Sequence, residues 1–316
     1  MRLRSLLAVG GVAGGLAALN KLLRSSGGEL VNALGGETRY CRWNGYNLAY
    51  TVAGEGEPLL LVHGIYAGAS SFEFRKNFGE LSQHFRVYAL DLLGCGLSER
   101  PPRRYEPEDV TSQIEVFARE EIGSPTHLVA NSLAAALAMP AVVRSPGLFK
   151  KIIFICPTGY ATLGQRSGLL GDVIYGLFRT PVLGDSLYHA IVSRRGICFY
   201  LGRMSYHDRA FVTRELVDSY YRTSHQPGGK YLPAAFASGN LNQDVADYWP
   251  RVPHKSLICW GQEAKTSPVH EADGFIRRNP RSEPRIFRDS ALLPHDERAE
   301  TFNEQVRDFL QESGKA

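Results

Sequence analysis

The rhythm of apolar and polar positions changes three times along the 316 residues. Residues 6–19 form one apolar, Gly/Ala-rich run, bracketed by Arg2 and Arg4 before it and Lys21 and Arg24 after it. From residue 37 the pattern becomes β-like: runs at 38–43 and 46–52 flank Asn44-Gly45. That dipeptide accepts the two positive φ angles of a type I′ turn, so a hairpin is predicted. Short, continuous apolar runs follow at 58–62, 85–90, 126–129, 151–156, 256–260 and 285–287. Runs without alternation suit strands covered on both faces. Between them, 71–83, 108–120, 133–143, 268–278 and 295–311 read as helices. A hairpin followed by strand-helix alternation predicts an α/β fold with an open, mostly parallel sheet.

Residues 159–249 break the alternation: they hold no convincing core strand and are rich in Tyr and Phe. So long an interval between strands is expected to fold as an inserted helical lid. Its aromatic residues would line a pocket for a hydrophobic ligand, or simply bury the insertion's own apolar face on the sheet. The expected organisation is therefore an N-terminal segment and linker at 1–28, an α/β core at 37–158 and 250–313, and the lid at 159–249. The N-terminal run is shorter than the roughly 20 residues of a spanning helix. Its basic, acid-free start fits an uncleaved membrane anchor or an organelle-targeting segment. The expected location is thus membrane-associated through the N-terminus, or inside an organelle.

Composition narrows the partners. A net charge of +4, from 36 basic and 32 acidic residues, is too mild for a nucleic-acid binder. The five cysteines are scattered, without disulfide or zinc spacing, which fits free thiols in a reducing compartment. No His/Asp/Glu set has the spacing of a metal site, and no cofactor is expected.

The chemistry-bearing signal is a strand-turn-helix, Leu128-Val129-Ala130-Asn131-Ser132-Leu133-Ala134. Small residues two positions either side of a serine let strand and helix pass closely, as a nucleophile elbow requires. Here Ala130 and Ala134 stand where glycines are usual. Two further segments lie upstream: Leu60-Leu61-Val62-His63-Gly64-Ile65 and Asp91-Leu92-Leu93-Gly94-Cys95-Gly96-Leu97-Ser98. In this order and spacing the three resemble the α/β-hydrolase fold superfamily, over roughly residue 36 to the C-terminus. The resemblance implies a serine hydrolase framework with Ser132 as nucleophile and the N–H groups of Ile65 and Leu133 as oxyanion hole. His63, Gly64 and Asn131 would border that hole, and Asp91 would order its loop. The Asn131-Ser132 pair is also similar to the elbow of carbon-carbon-bond hydrolases and of pigment-ester hydrolases.

Against the family pattern, the acid slot in Trp260-Gly261-Gln262-Glu263-Ala264 holds Ala264. The histidine slot in Ala291-Leu292-Leu293-Pro294-His295 holds Leu292. A serine hydroxyl needs a base to react at neutral pH, and losing the histidine of a triad typically costs about 10⁶ in turnover. The candidate rescuers are His295 as base, with Glu263 or Glu297 orienting it. Two expectations stand side by side. One is a serine hydrolase of esterase or lipase type, acting on a hydrophobic carboxylic ester or related acyl compound with an impaired triad. The other is a non-catalytic pseudohydrolase that binds a hydrophobic ligand or a protein partner.

Overall fold

The computed structural model describes residues 3–24 and 26–312. Eight strands form one sheet: β1 (Glu37–Trp43), β2 (Tyr46–Ala53), β3 (Pro58–Val62), β4 (Arg86–Leu90), β5 (Thr126–Asn131), β6 (Phe149–Ile155), β7 (Ser256–Gly261) and β8 (Ser282–Phe287). Their order is β1-β2-β4-β3-β5-β6-β7-β8. Only the β1/β2 and β2/β4 pairs are antiparallel. The hairpin turn is as predicted, with φ of 45° at Asn44 and 86° at Gly45. The strands β3, β5 and β7 are buried almost throughout, which accounts for their largely apolar sequence.

The helices are α1 (Leu3–Arg24), α2 (Phe78–Leu81), α3 (Pro107–Val116), α4 (Ser132–Arg144), α5 (Gly168–Arg179), α6 (Leu183–Ile191), α7 (Arg194–Tyr200), α8 (Arg214–Ser224), α9 (Tyr231–Ala237), α10 (Ala272–Arg278), α11 (Pro294–Glu297) and α12 (Ala299–Gln311). α4 packs against α3, β5 and β6. Every residue from Leu133 to Val142 is buried, including five alanines, so small side chains let this helix lie close to the sheet. Between β6 and β7 the described chain is helical, from α5 to α9 with short turns between them.

Two expected helices are broken. Residues 71–83 form a 3₁₀ turn, Ser71–Phe74, and then the short α2. The segment is pinned by side chains rather than by its own ladder. Asp91 accepts the Ser71 N–H at 2.6 Å, and the Asn77 amide donates to the His295 carbonyl and to Asn303 at 2.8 Å each. Likewise 295–311 is interrupted at Arg298, whose φ of −129° and ψ of 46° leave the helical region.

The N-terminal helix docks on the insertion. Asn20, buried near the end of α1, donates to the Val182 carbonyl at 2.8 Å and to Ser186 Oγ at 3.0 Å. Arg24 pairs with Asp185 at 2.7 Å, and Lys230 reaches the other oxygen of that carboxylate at 2.6 Å. Among the described residues no helix is long and apolar enough to cross a membrane.

Candidate functional site

β5 runs into α4 through Ser132, whose φ is +54°. A non-glycine residue in the left-handed region costs about 1 kcal/mol or more. Here the sharp bend lifts the hydroxyl off the end of the strand, as a nucleophile elbow does. Ser132 is partly exposed and, among the described residues, its hydroxyl has no hydrogen-bond partner. Asn131 and Leu133 on either side are buried.

Next to the elbow lies the loop after β3. His63 has both ring nitrogens committed: Nδ1 donates to the Gly64 carbonyl at 2.7 Å and Nε2 accepts the Leu92 N–H at 3.2 Å. This neutral tautomer ties the loop after β3 to the one after β4 and leaves no nitrogen for proton transfer. Asp91 orders the same region, accepting the N–H groups of Ser71 at 2.6 Å and Leu97 at 2.8 Å. Gly96, at φ +47°, lies so close that a Cβ there would stand 2.0 Å from the Asp91 carboxyl carbon, so only glycine fits. Ile65 is buried, and its N–H has no hydrogen bond among the described residues.

A buried carboxylate, Glu73, organises the site, and sequence reasoning missed it. It stands in the 3₁₀ turn that follows the loop after β3, with all four residues of that turn buried. Glu73 accepts the Gly64 N–H at 3.2 Å, the Asn131 amide at 2.8 Å and the Tyr66 hydroxyl. Tyr66 stacks on Tyr220 of α8 and accepts its hydroxyl proton at 3.0 Å, which links the carboxylate to the helical insertion. His295 completes the group. It is fully buried between Phe74 and Phe302, and its Nε2 lies 3.5 Å from Glu73 Oε1. That is an ion-pair distance but too long for a well-formed hydrogen bond, and neither ring nitrogen makes one. Burial drives the Glu73 carboxyl upward, but the facing His295 and the Tyr66 hydroxyl outweigh it and hold the group below its ordinary range. The one legible hint was a lone acid between two phenylalanines, Phe72-Glu73-Phe74.

The carboxylate that faces His295 is therefore Glu73, not Glu263. Glu263 is spent on a turn: its carboxylate accepts the Ser290 N–H at 2.9 Å while its own N–H donates to the Ser290 carbonyl at 2.9 Å. Glu297 is also engaged, accepting the N–H groups of Ala291 at 2.7 Å and His207 at 2.8 Å. These bonds stitch the loop carrying Leu292 to the end of β7. Gly261 is needed there, since a Cβ would stand 1.8 Å from the Ala291 carbonyl oxygen. Leu292 donates its N–H to the Ser205 carbonyl at 3.1 Å and packs its side chain among apolar residues. Ala264 is buried. The structure thus gathers Gly64, Asn131 and His295 around Glu73 and sets Ser132 beside Asn131. His189 and His225 stack on each other within the insertion, and no histidine hydrogen-bonds to Ser132.

A mostly parallel sheet with a serine on a left-handed strand-to-helix bend defines the hydrolase architecture. The sequence model of the alpha/beta hydrolase family matches residues 59–305. The chain belongs to that family. It is 26% identical over 275 residues to the 2-hydroxy-6-oxo-2,4-heptadienoate hydrolase of Pseudomonas putida, covering 81% of this chain and 90% of that one. Among solved structures, a meta-cleavage product hydrolase from Pseudomonas fluorescens superposes with a TM-score of 0.71 at 23% identity, over 87% of this chain and 97% of that one. A membrane phospholipase A, described as a bacterial virulence factor, superposes with a TM-score of 0.73 at 20% identity, over 99% of this chain and 98% of that one. At these identities the two structures speak for the fold.

Proposed function

We propose that the protein is a serine hydrolase acting on a hydrophobic carboxylic ester or related acyl compound, with a rewired proton acceptor. The observation that carries this reading is the left-handed backbone at Ser132. A strained elbow with an uncommitted hydroxyl has its use in presenting that hydroxyl to a substrate. Ser132 would attack the carbonyl carbon, and the N–H groups of Ile65 and Leu133 would hold the developing oxyanion. His295 would take the serine proton in place of the missing histidine. With its Nε2–H directed at Glu73, the imidazole keeps a lone pair on Nδ1, which is unoccupied. The similarity to hydrolases named for 2-hydroxy-6-oxo-dienoates favours an acyl or vinylogous carbonyl substrate over a phosphoryl one.

One observation favours a second reading, a binder without turnover: Leu292 fills the histidine position with a side chain that cannot move a proton. A fluorophosphonate probe separates the two. Covalent labelling that Ser132→Ala abolishes and His295→Ala reduces supports the enzyme with His295 as base. An unlabelled wild type, inert toward nitrophenyl esters of short and long chains, overturns it and leaves the binder.

A further inference from the structure

The core and the insertion differ sharply in what they show to water. Nine of the fourteen exposed large hydrophobic residues among those described lie between 168 and 205, and two more lie on α1. Leu169, Leu170 and Val173 on α5 are 87%, 71% and 68% exposed. Leu183 and Ile191 on α6 and Phe199 on α7 continue the apolar set. These helices form one body, because α6 packs against α1, α5 and α7. Soluble surfaces scatter such residues singly, and their concentration on adjoining elements marks an interaction face.

The charges on the same stretch are mainly positive. Residues 168–205 carry Arg179, Arg194, Arg195 and Arg203 against Asp172 and Asp185. Asp185 is already consumed by Arg24 and Lys230, and Asp172 faces Arg104. Arg194 pairs with Asp218 of α8 at 2.8 Å, while Arg195 and Arg203 make no ion pair among the described residues. A two-fold dimer through this face would set like arginines against one another. Aliphatic side chains that project this far penetrate a fluid layer without needing a matching cavity, while arginines beside them meet anionic headgroups.

We infer that the outer face of α5, α6 and α7, next to α1, docks on the surface of an anionic phospholipid bilayer. The inference does not depend on the chemistry assigned to Ser132. The protein's three tryptophans, Trp43, Trp249 and Trp260, are all buried, so a vesicle-dependent change in emission that the wild type lacks reports on a tryptophan placed on this face. The full-length Leu170→Trp variant is mixed with phosphatidylcholine vesicles that contain or lack about 30 mol% phosphatidylglycerol. The expected result is blue-shifted emission, quenched by brominated acyl chains, with the anionic vesicles only. Flotation of Leu169→Glu/Leu170→Glu should show binding weakened about tenfold or more, with thermal unfolding unchanged. Leu169→Ser/Leu170→Ser repeats the test without added charge. Unshifted emission from the Leu170→Trp variant overturns the inference, even where the chain floats through α1. Self-association that these substitutions abolish, without vesicle binding, also overturns it and assigns the face to a second copy.

Discussion

Removing the Glu73 carboxylate would strand the Gly64 N–H, the Asn131 amide and the Tyr66 hydroxyl at once, and leave His295 without a facing acid. Breaking a buried polar pair from one side typically costs about 3–5 kcal/mol. Glu73→Ala is therefore expected to lose stability of that order in urea unfolding, and Glu73→Gln less, because it keeps an acceptor. Since the folded carboxyl is held below its ordinary value near 4.5, its contribution is complete above that pH and drains away as pH falls through the lowered value. The catalytic question is also posed at this scale. On the proposed reading, Leu292→His/Ala264→Asp would place an imidazole on the loop after β8 and a carboxylate on the loop after β7, two segments that Gly261 and Ala291 bring together. If Ser132 lacks an effective base, that double variant should raise nitrophenyl ester turnover by at least about 10². A rise of less than a few-fold would mean that His295 already serves, or that the loop cannot present an imidazole. Ser132, Asn131 and Gly64 were legible from sequence because an elbow and its adjoining loop are local motifs. Glu73 was not, because its role comes from contacts with residues as far along the chain as His295.

Among the elements, β1 and β2 were legible from the hairpin signal at Asn44-Gly45 and the buried parallel strands from their apolar runs, while of β8 only its last three residues stood out. The helix at 71–83 was not, because the bonds that break it come from Asp91, His295 and Asn303. α8 and α6 offer a test of how the insertion holds together. His225 ends α8 in a buried stack with Tyr221 and His189, and its Nδ1 donates to the Tyr221 carbonyl at 2.9 Å. Burial, followed by the charges of His189 and Arg194, depresses its pKa from 6.5 to about 4, although the hydrogen bond to Tyr221 works the other way. The folded and unfolded states are both neutral here above pH 6.5. Between 6.5 and about 4 the unfolded chain takes a proton that the folded one refuses, so stability falls as pH falls through that window. Solvent screening keeps the full effect below roughly 3 kcal/mol. Melting temperatures from pH 7 to pH 4 should decline less steeply for His225→Gln than for the wild type.

At the scale of the whole molecule, the core and the insertion divide the labour. The sheet supplies a rigid edge on which β5, β3 and β7 set the Ser132 bend, the loop of His63 to Ile65 and the Glu263 turn. The insertion reaches back to the site through Tyr220, which stacks on Tyr66, and through Ser205, which holds Leu292. That arrangement was only half legible: the aromatic richness of 159–249 announced a folded insertion, but not which of its side chains meet the core. The coupling predicts that Tyr220→Phe, which removes one hydroxyl and keeps the ring stack, shifts probe-labelling kinetics at Ser132 while leaving the unfolding free energy in urea within about 1 kcal/mol of wild type. An unchanged labelling rate would show that the hydroxyl link is idle.

The junction of α1 with α6 has a practical consequence. Val182 adopts φ 64° and ψ −64°, and Leu183 N–H closes a three-residue turn onto Pro181 at 2.7 Å. A β-branched residue rarely accepts this geometry, and the Val182 carbonyl it exposes is the one that Asn20 holds. A shortened chain that begins after Arg24, the natural choice for easier purification, would keep the Ser186 N–H on this carbonyl at 2.8 Å but lose the Asn20 amide, and with it half of the cationic grip on Asp185. The knuckle at Val182 would then be held by contacts within 181–186 alone, and measurements on such a fragment would describe an insertion without the brace that α1 gives it.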